Sequence, residues 1–151
     1  MNDAPRFVAS LQNPTNANFR ASDVPDDVEV TVANLVAADG APSRGLLYRK
    51  RGTRPRTGVH LMHPRTDQSQ NYNILPLVDA GYLVLGRAGR WPNNDMATVH
   101  ENLVLDVAAG LNLLRNEGCE RLALLGNSGG GTMAAFYQSQ ASKPKGERLT
   151  H

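Results

Sequence analysis

The 151-residue sequence has a single cysteine, no long apolar segment and no large excess of either charge. Cys119 is its single cysteine, so no intrachain disulfide can form and a secreted disulfide scaffold is excluded. No segment approaches the roughly 18 consecutive apolar residues of a membrane span, and the N-terminus has no apolar core of a signal peptide. The cytoplasm is therefore the expected compartment, and no membrane partner is expected.

An excess of one charge is also missing. The sequence has 16 Lys and Arg against 14 Asp and Glu, and a net charge of +2 is too small to attract nucleic acid. A basic cluster over residues 49–56 contains Gly52 and Pro55 and joins two strand-like segments. Such a cluster is more typical of a solvated loop than of a phosphate-binding patch. With 40% hydrophobic residues, the composition is that of one ordinary globular domain.

Three stretches differ in composition. Residues 1–27 are rich in Asn, Pro and Asp and predict an extended N-terminal arm. Residues 28–142 carry the hydrophobic patterns of a domain, beginning with strict alternation over 28–32 and a strand-like segment over 45–49. Turn residues between these two segments predict an antiparallel hairpin. Residues 143–151 form a polar tail, which we expect to be exposed and to be a point of cleavage or truncation.

From residue 59 onward, predicted strands alternate with predicted helices. A capping-box pair, Thr98 and Glu101, predicts where the longest helix begins. Alternation with short connections implies right-handed crossovers and a parallel sheet, and continuous apolar runs are typical of strands covered on both faces. The fold class is therefore α/β, with an antiparallel hairpin leading into a mostly parallel sheet flanked by helices. The predicted strands cover 59–62, 82–86 and 121–126, and the helices cover about 73–80, 98–117 and the segment from 129.

The turn after the third of these strands carries the strongest sign of chemistry. Residues 126–130 read Gly-Asn-Ser-Gly-Gly and fit the pattern Gly-x-Ser-x-Gly between a strand and a helix. The chain must turn sharply there, and glycines on both sides remove the β-carbons that would clash. The serine, Ser128, is thereby exposed beside the free amides and positive end of a helix, which can stabilise an oxyanion. Ser128 is the candidate nucleophile.

Other glycine motifs fit this turn less well. A P-loop would need lysine where Thr132 stands, and a dinucleotide-binding turn would need glycine at position 128. A strand-to-helix turn with an incidental serine is the alternative without chemistry.

With these features the sequence resembles the α/β-hydrolase family, from about residue 45 to residue 142. Residues 61–65, Leu-Met-His-Pro-Arg, look like the end of the family's third strand, which normally ends in His-Gly. Residues 81–85, Gly-Tyr-Leu-Val-Leu, look like the fourth strand, and the Ser128 turn would close the fifth.

The resemblance implies where an oxyanion would bind. The amide of Gly129 would be one donor, and the loop after His63 would supply the second, with Arg65 preferred and Thr66 next. Pro64 departs from the family's usual glycine, and because proline has no N–H, the loop geometry is expected to differ.

The sequence offers two further candidate site residues, and three histidines before the polar tail. Arg87 and Trp91 follow the fourth strand and would line the substrate entrance at the carboxyl edge of the sheet, although an exposed loop with an anchoring Trp is an equal alternative. His60, His63 and His100 are more typical of structural histidines than of acid or base groups.

The rest of a catalytic triad is missing from the sequence. In the family's order an acid and then a histidine follow the serine, but only 23 residues follow Ser128. Glu147 and His151 lie in the polar tail, with no strand to fix either side chain. The resemblance also implies a sixth strand beyond residues 121–126, which would otherwise be an exposed edge. We therefore expect a complementary C-terminal segment or chain that carries the acid and the histidine, and an incomplete fold without it.

These observations predict a serine hydrolase that cleaves a small ester, thioester or activated amide through an acyl-enzyme on Ser128. No metal or organic cofactor is implied. A non-catalytic binding or assembly subunit and an acyltransferase with the same turn are the alternatives. A homo-oligomer is left open.

Overall fold

The computed structural model describes residues 18–149, which form one sheet of five strands and three helices. The strands are β1 (Val28–Val36), β2 (Pro42–Lys50), β3 (Thr57–His63), β4 (Leu83–Ala88) and β5 (Arg121–Leu125). The helices are α1 (Ile74–Asp79), α2 (His100–Asn116) and α3 (Gly129–Ala141). Single 3₁₀ turns cover Ala21–Asp23 and Lys145–Glu147.

The strands are arranged in the order β1-β2-β4-β3-β5. β1 and β2 form the antiparallel hairpin, paired from Val28 opposite Lys50 to Val36 opposite Pro42, and β2 also pairs antiparallel with β4. β3 lies between β4 and β5 and is parallel to both. The expected class, a hairpin leading into a parallel sheet with helices around it, is confirmed. β5 is an edge strand, and no strand of the described residues pairs with its outer side.

Alternate residues of β3 and β4 point to opposite sides of the sheet, and apolar side chains on both sides pack against helices. On one face, α1 packs Ile74 and Val78 into a cluster with Leu61 and Val84. On the other face, α2 and α3 pack against the residues that alternate with these, in clusters that contain Met62, Leu83, Leu85, Leu103, Val107 and Met133. The sheet thereby holds the carboxyl ends of its parallel strands at one edge between the two layers.

The described residues before β1, 18–27, contribute to this core. Phe19 is buried, and its ring meets that of Tyr48 edge-on with centroids 5.8 Å apart. The Phe19 amide donates to the carbonyl of Gln70 at 3.0 Å. The remainder of the predicted arm, residues 1–17, lies outside the described residues, as do Thr150 and His151 of the predicted tail.

The predicted capping box at the start of α2 is wrong. The helix begins at His100, and its N-cap residue Val99 makes no side-chain capping bond. The Thr98 hydroxyl donates instead to the carbonyl of Asn94 at 2.7 Å. The loop before the helix therefore uses the side chain that the sequence pattern assigned to the cap.

Carboxylates pair with three of the five basic residues in the cluster over residues 49–56. Arg49 pairs with Glu29 and Glu117, Lys50 pairs with Asp27 and Asp79, and Arg56 pairs with Glu120. These contacts favour the interpretation as a solvated loop over a phosphate-binding patch.

Cys119 has a packing role in the core. It is buried in the cluster between β2, β4 and α2, and burial raises the pKa of its thiol. Within residues 18–149, no helix is both long enough and apolar enough to cross a bilayer.

Candidate active site

The turn between β5 and α3 holds Ser128 in an uncommon backbone conformation. Its φ is 52° and its ψ is −122°, and Asn93 is the other non-glycine residue of the described chain with a positive φ. A conformation of this kind costs on the order of 1–3 kcal/mol and persists only where the surroundings impose it. Strain at a serine between a strand and a helix is the geometry that a nucleophile at such a turn requires.

Two glycines allow the turn to be this tight. A β-carbon on Gly126 would overlap the carbonyl of Gly130 and the amide of Gly131. A β-carbon on Gly130 would lie 2.5 Å from the carbonyl oxygen of Met62 in β3. The backbone of the turn is therefore packed on itself and on the neighbouring strand, and the glycine pattern has a steric cause.

The first turn of α3 leaves one amide without a backbone partner. Gly130 donates to the Asn127 carbonyl at 2.8 Å, and Gly131 donates to the Ser128 carbonyl at 2.9 Å. Among residues 18–149 no backbone acceptor receives the amide of Gly129. This N–H stands beside Ser128 at the positive end of the helix and suits the binding of a developing negative charge.

Ser128 opens into a cleft of about 410 Å³. The structure thus brings together Ser128, Gly129 and Arg65 of the predicted site, and adds residues from the loop between β4 and α2. The cleft is lined by His63, Pro64, Arg65, Asp95, Thr98, His100, Ser128 and Gly129.

The imidazole of His63 organises the loop after β3. Its Nδ1 accepts the amide N–H of Arg65 at 3.0 Å and that of Thr66 at 3.2 Å. An Nδ1 that accepts has no proton, so the neutral ring carries its proton on Nε2. Burial, and next the charge of Arg65, lower the pKa of His63, which favours this neutral form. In this conformation the amides expected to be the second oxyanion donor are turned toward His63, and their role stays a prediction.

The expected place of Arg87 at the substrate entrance is corrected by the structure. Its side chain is 0% exposed and donates to the Asp106 carbonyl at 2.9 Å and to the Ser43 hydroxyl at 2.7 Å. The guanidinium therefore lies between β2 and α2 and has no surface to offer a ligand.

Arg90 and Trp91 continue from this buried region. Arg90 bonds the Asp106 carboxylate and also pairs with Asp39, and its guanidinium lies 5.3 Å from the Trp91 ring centre. Trp91 packs against the cluster beneath α2 and does not line the cleft. A substrate contact by Trp91 stays a prediction.

Three residues of the cleft were missed by sequence reasoning. Asp95 pairs with Arg65 at 2.7 Å, and Thr98 and His100 follow on the same loop and at the start of α2. No motif connects these positions, and their proximity to Ser128 arises from the tertiary course of the loop. Within the described part of the chain, no three His, Cys, Asp or Glu residues gather as a metal site would require.

Comparison with known proteins places this arrangement in a wider context. No protein-family model matches the sequence, and no curated protein is significantly similar to it. Solved structures do match. Oligopeptidase B from Trypanosoma brucei aligns over 74% of this chain with 17% identity and a TM-score of 0.61. An esterase from Pyrococcus furiosus aligns over 76% with 19% identity and a TM-score of 0.59. Brefeldin A esterase, described as a bacterial homologue of human hormone-sensitive lipase, aligns over 88% with 20% identity and a TM-score of 0.62.

The chain spans 18% of the oligopeptidase, 46% of the Pyrococcus esterase and 42% of brefeldin A esterase, which is less than half of each. At these identities the likeness concerns the fold alone. Its five-stranded sheet, with helices on both faces, has the α/β-hydrolase fold over the part that these proteins share with it.

Proposed function

We propose that this protein is a serine hydrolase that cleaves an ester, thioester or activated amide of a small acyl substrate. The observation that carries the proposal is the strained Ser128, held at the carboxyl end of β5 with its side chain lining a cleft. The unpartnered amide of Gly129 beside it supplies a place for an oxyanion. The α/β-hydrolase fold, on which hydrolases with such a turn are built, supports this assignment.

The chemistry follows from these groups. The Ser128 hydroxyl attacks the acyl carbon while its proton passes to a base, and the carbonyl oxygen becomes an oxyanion bound by the Gly129 N–H. The tetrahedral intermediate then expels the alcohol, thiol or amine, which takes the proton from the base. Water, deprotonated by the same base, attacks the acyl-enzyme and releases the carboxylic acid and the free serine.

The described residues do not supply that base in an oriented form. His60 is fully buried among apolar side chains, and Nδ1 of His63 is occupied as an acceptor. His100 lines the cleft, but the nearby carboxylate of Asp95 is paired with Arg65. A base without an orienting group is a poor partner for serine.

We therefore propose that the acid and the catalytic histidine come from a complementary segment, later in the polypeptide or on a separate chain. The outer side of β5, which has no strand partner among residues 18–149, is where such a segment would join the sheet. The greater length of the similar hydrolases supports this proposal.

Labelling of the native assembly with a fluorophosphonate tests the proposal. We expect stoichiometric modification of Ser128, and complete loss of labelling in Ser128→Ala. Ser139→Ala is the matched control, because Ser139 lies on the same helix but is exposed and donates to the Phe136 carbonyl. Ser139→Ala should be labelled to the same extent as the protein without substitutions.

The absence of an oriented base among residues 18–149 favours a second candidate, a non-catalytic binding or assembly subunit with this fold. That candidate predicts no labelling of the intact assembly. Persistent labelling in Ser128→Ala would also contradict the hydrolase proposal.

A further inference from the structure

We propose that the Nε2–H of His63 is the second oxyanion donor, acting together with the amide of Gly129. The proposal rests on the hydrolase function proposed above and names a side chain where the resemblance implied a backbone amide of the following loop.

The hydrogen bonds of the loop decide where the proton of the imidazole lies. Two amides, those of Arg65 and Thr66, converge on Nδ1 at 3.0 and 3.2 Å. Both groups are donors, so Nδ1 must present a lone pair, and the ring proton is on Nε2. His63 is therefore fixed as a hydrogen-bond donor toward its other side.

That other side faces the serine turn. A β-carbon placed on Gly129 would lie 3.2 Å from Nε2 of His63 and 3.1 Å from Cγ of Pro64. The amide of Gly129 has no backbone acceptor among residues 18–149, and both His63 and Gly129 line the cleft that contains Ser128. Nε2 has no hydrogen-bond partner among residues 18–149, so it is available to a ligand there. Two N–H donors from separate elements thus belong to residues that line the same cleft.

The same loop offers no better donor. Pro64 has no N–H, and the amides of Arg65 and Thr66 are already bound to Nδ1. A donor on the imidazole explains how the loop can have Pro64 in place of the family's usual glycine. With such a donor, the loop needs no free backbone amide to bind the oxyanion.

A neutral imidazole suits this role. Its N–H can stabilise an oxyanion without transferring a proton to it, as a neutral histidine does for a carbonyl oxygen in other enzymes. Burial and the charge of Arg65 lower the pKa of His63 and keep the ring neutral at physiological pH. The bond would strengthen as negative charge develops on the oxygen, which is the requirement for catalysis.

Two substitutions separate the donor role from the loop-holding role. His63→Asn keeps an acceptor near the position of Nδ1 for the Arg65 and Thr66 amides but removes the donor at Nε2. His63→Gln extends an amide N–H toward the position of Nε2 but loses the acceptor for the loop. The measurement is the rate constant of fluorophosphonate modification of Ser128 in the native assembly, since the phosphoryl oxygen occupies the oxyanion site.

We expect His63→Asn to slow modification by about 10²–10³-fold, the usual effect of removing one oxyanion donor. His63→Gln should recover at least about tenfold of that loss. If His63 served only to hold the loop, the order would be reversed, with Asn the milder change. Circular dichroism and thermal melting of both variants establish that each is folded.

The outcomes distinguish this inference from the function on which it rests. If the protein without substitutions is not labelled at Ser128, both the donor role of His63 and the hydrolase proposal are contradicted. Labelling that depends on Ser128, with His63→Asn as fast as His63→Gln or faster, overturns the donor role and leaves the hydrolase proposal standing.

Discussion

Two parts of the same sheet edge differ in how their polar groups are satisfied. At the carboxyl end of β4, Arg87 and Arg90 meet the carboxylate of Asp106, at 3.7 Å and 2.8 Å respectively. At the carboxyl ends of β3 and β5, His63 uses one of its two nitrogens within the described structure, and Ser128 is held with a positive φ. The first region is saturated with hydrogen bonds. The second, beside a cleft, leaves Nε2 of His63 and the amide of Gly129 without partners among residues 18–149.

The difference shows why position at this edge does not by itself identify a binding residue. Arginine after a strand of a parallel sheet is a reasonable candidate for a ligand contact. The guanidinium of Arg87 instead donates its hydrogen bonds within the protein, to Asp106 on α2 and Ser43 on β2. Unused donors and backbone strain are the better guide to chemistry.

The largest loss of stability is expected from removal of the Asp106 carboxylate, which pairs with Arg87 and Arg90. Asp106→Ala leaves two buried guanidinium groups without their carboxylate, and removal of one partner of such a pair costs about 3–5 kcal/mol. Urea denaturation measures the loss of unfolding free energy. Asp95→Ala, which removes the exposed carboxylate paired with Arg65 in the cleft, is the control and should cost far less. Equal losses in the two variants would remove the distinction between the regions.

A smaller effect is expected where the serine turn packs against β3. The added methyl of Gly130→Ala would meet the Met62 carbonyl, and we expect a loss of about 1–3 kcal/mol in stability and slower labelling of Ser128. Gly131→Ala is the matched control in the same helix, because its methyl would be in ordinary contact, 3.5 Å from the Gly126 carbonyl. It should be neutral or slightly stabilising. Thermal melting and labelling rates check both, and equal behaviour would refute the steric explanation.

The smallest effect concerns a buried histidine between the two regions. Burial, and next the charge of Arg87, hold the pKa of His60 well below the ordinary 6.5. The unfolded chain therefore binds a proton below about pH 6.5 that the folded protein does not, and stability falls as the pH decreases. The slope approaches about 1.4 kcal/mol per pH unit for this group.

Unfolding free energies at pH 7, 6 and 5 measure this dependence. His60→Leu should flatten it, because leucine binds no proton. The substitution breaks no hydrogen bond, since both ring nitrogens of His60 lack partners among residues 18–149. His63 shares the direction of the shift and leaves a residual slope. An unchanged slope in His60→Leu would assign the pH dependence to other groups.

Local patterns predicted most of the fold. The alternation over residues 28–32 predicted the hairpin, and the short apolar runs separated by helices predicted the parallel strands β3 to β5, because each signal lies within one element. The serine turn was recognisable for the same reason. Its strand, its glycines and its helix are consecutive in sequence.

The rest depended on contacts between distant segments. Nothing around Arg87 indicates that Asp106, 19 residues later, will accept its hydrogen bond, and side-chain burial cannot be read from its neighbours. Thr98 fits a capping box, yet its hydroxyl donates to the carbonyl of Asn94, four residues earlier. The cleft residues of the β4–α2 loop likewise come together only through the path of the chain.

The positive φ of Ser128 has a consequence for the evolution of this chain. Glycine adopts that conformation without a β-carbon penalty, so Ser128→Gly would relieve strain while it removes the hydroxyl. A library of variants selected only for resistance to heat should therefore drift toward glycine at this position. A library selected for turnover of an ester should keep serine, and the frequency of glycine would measure how strongly each selection acts.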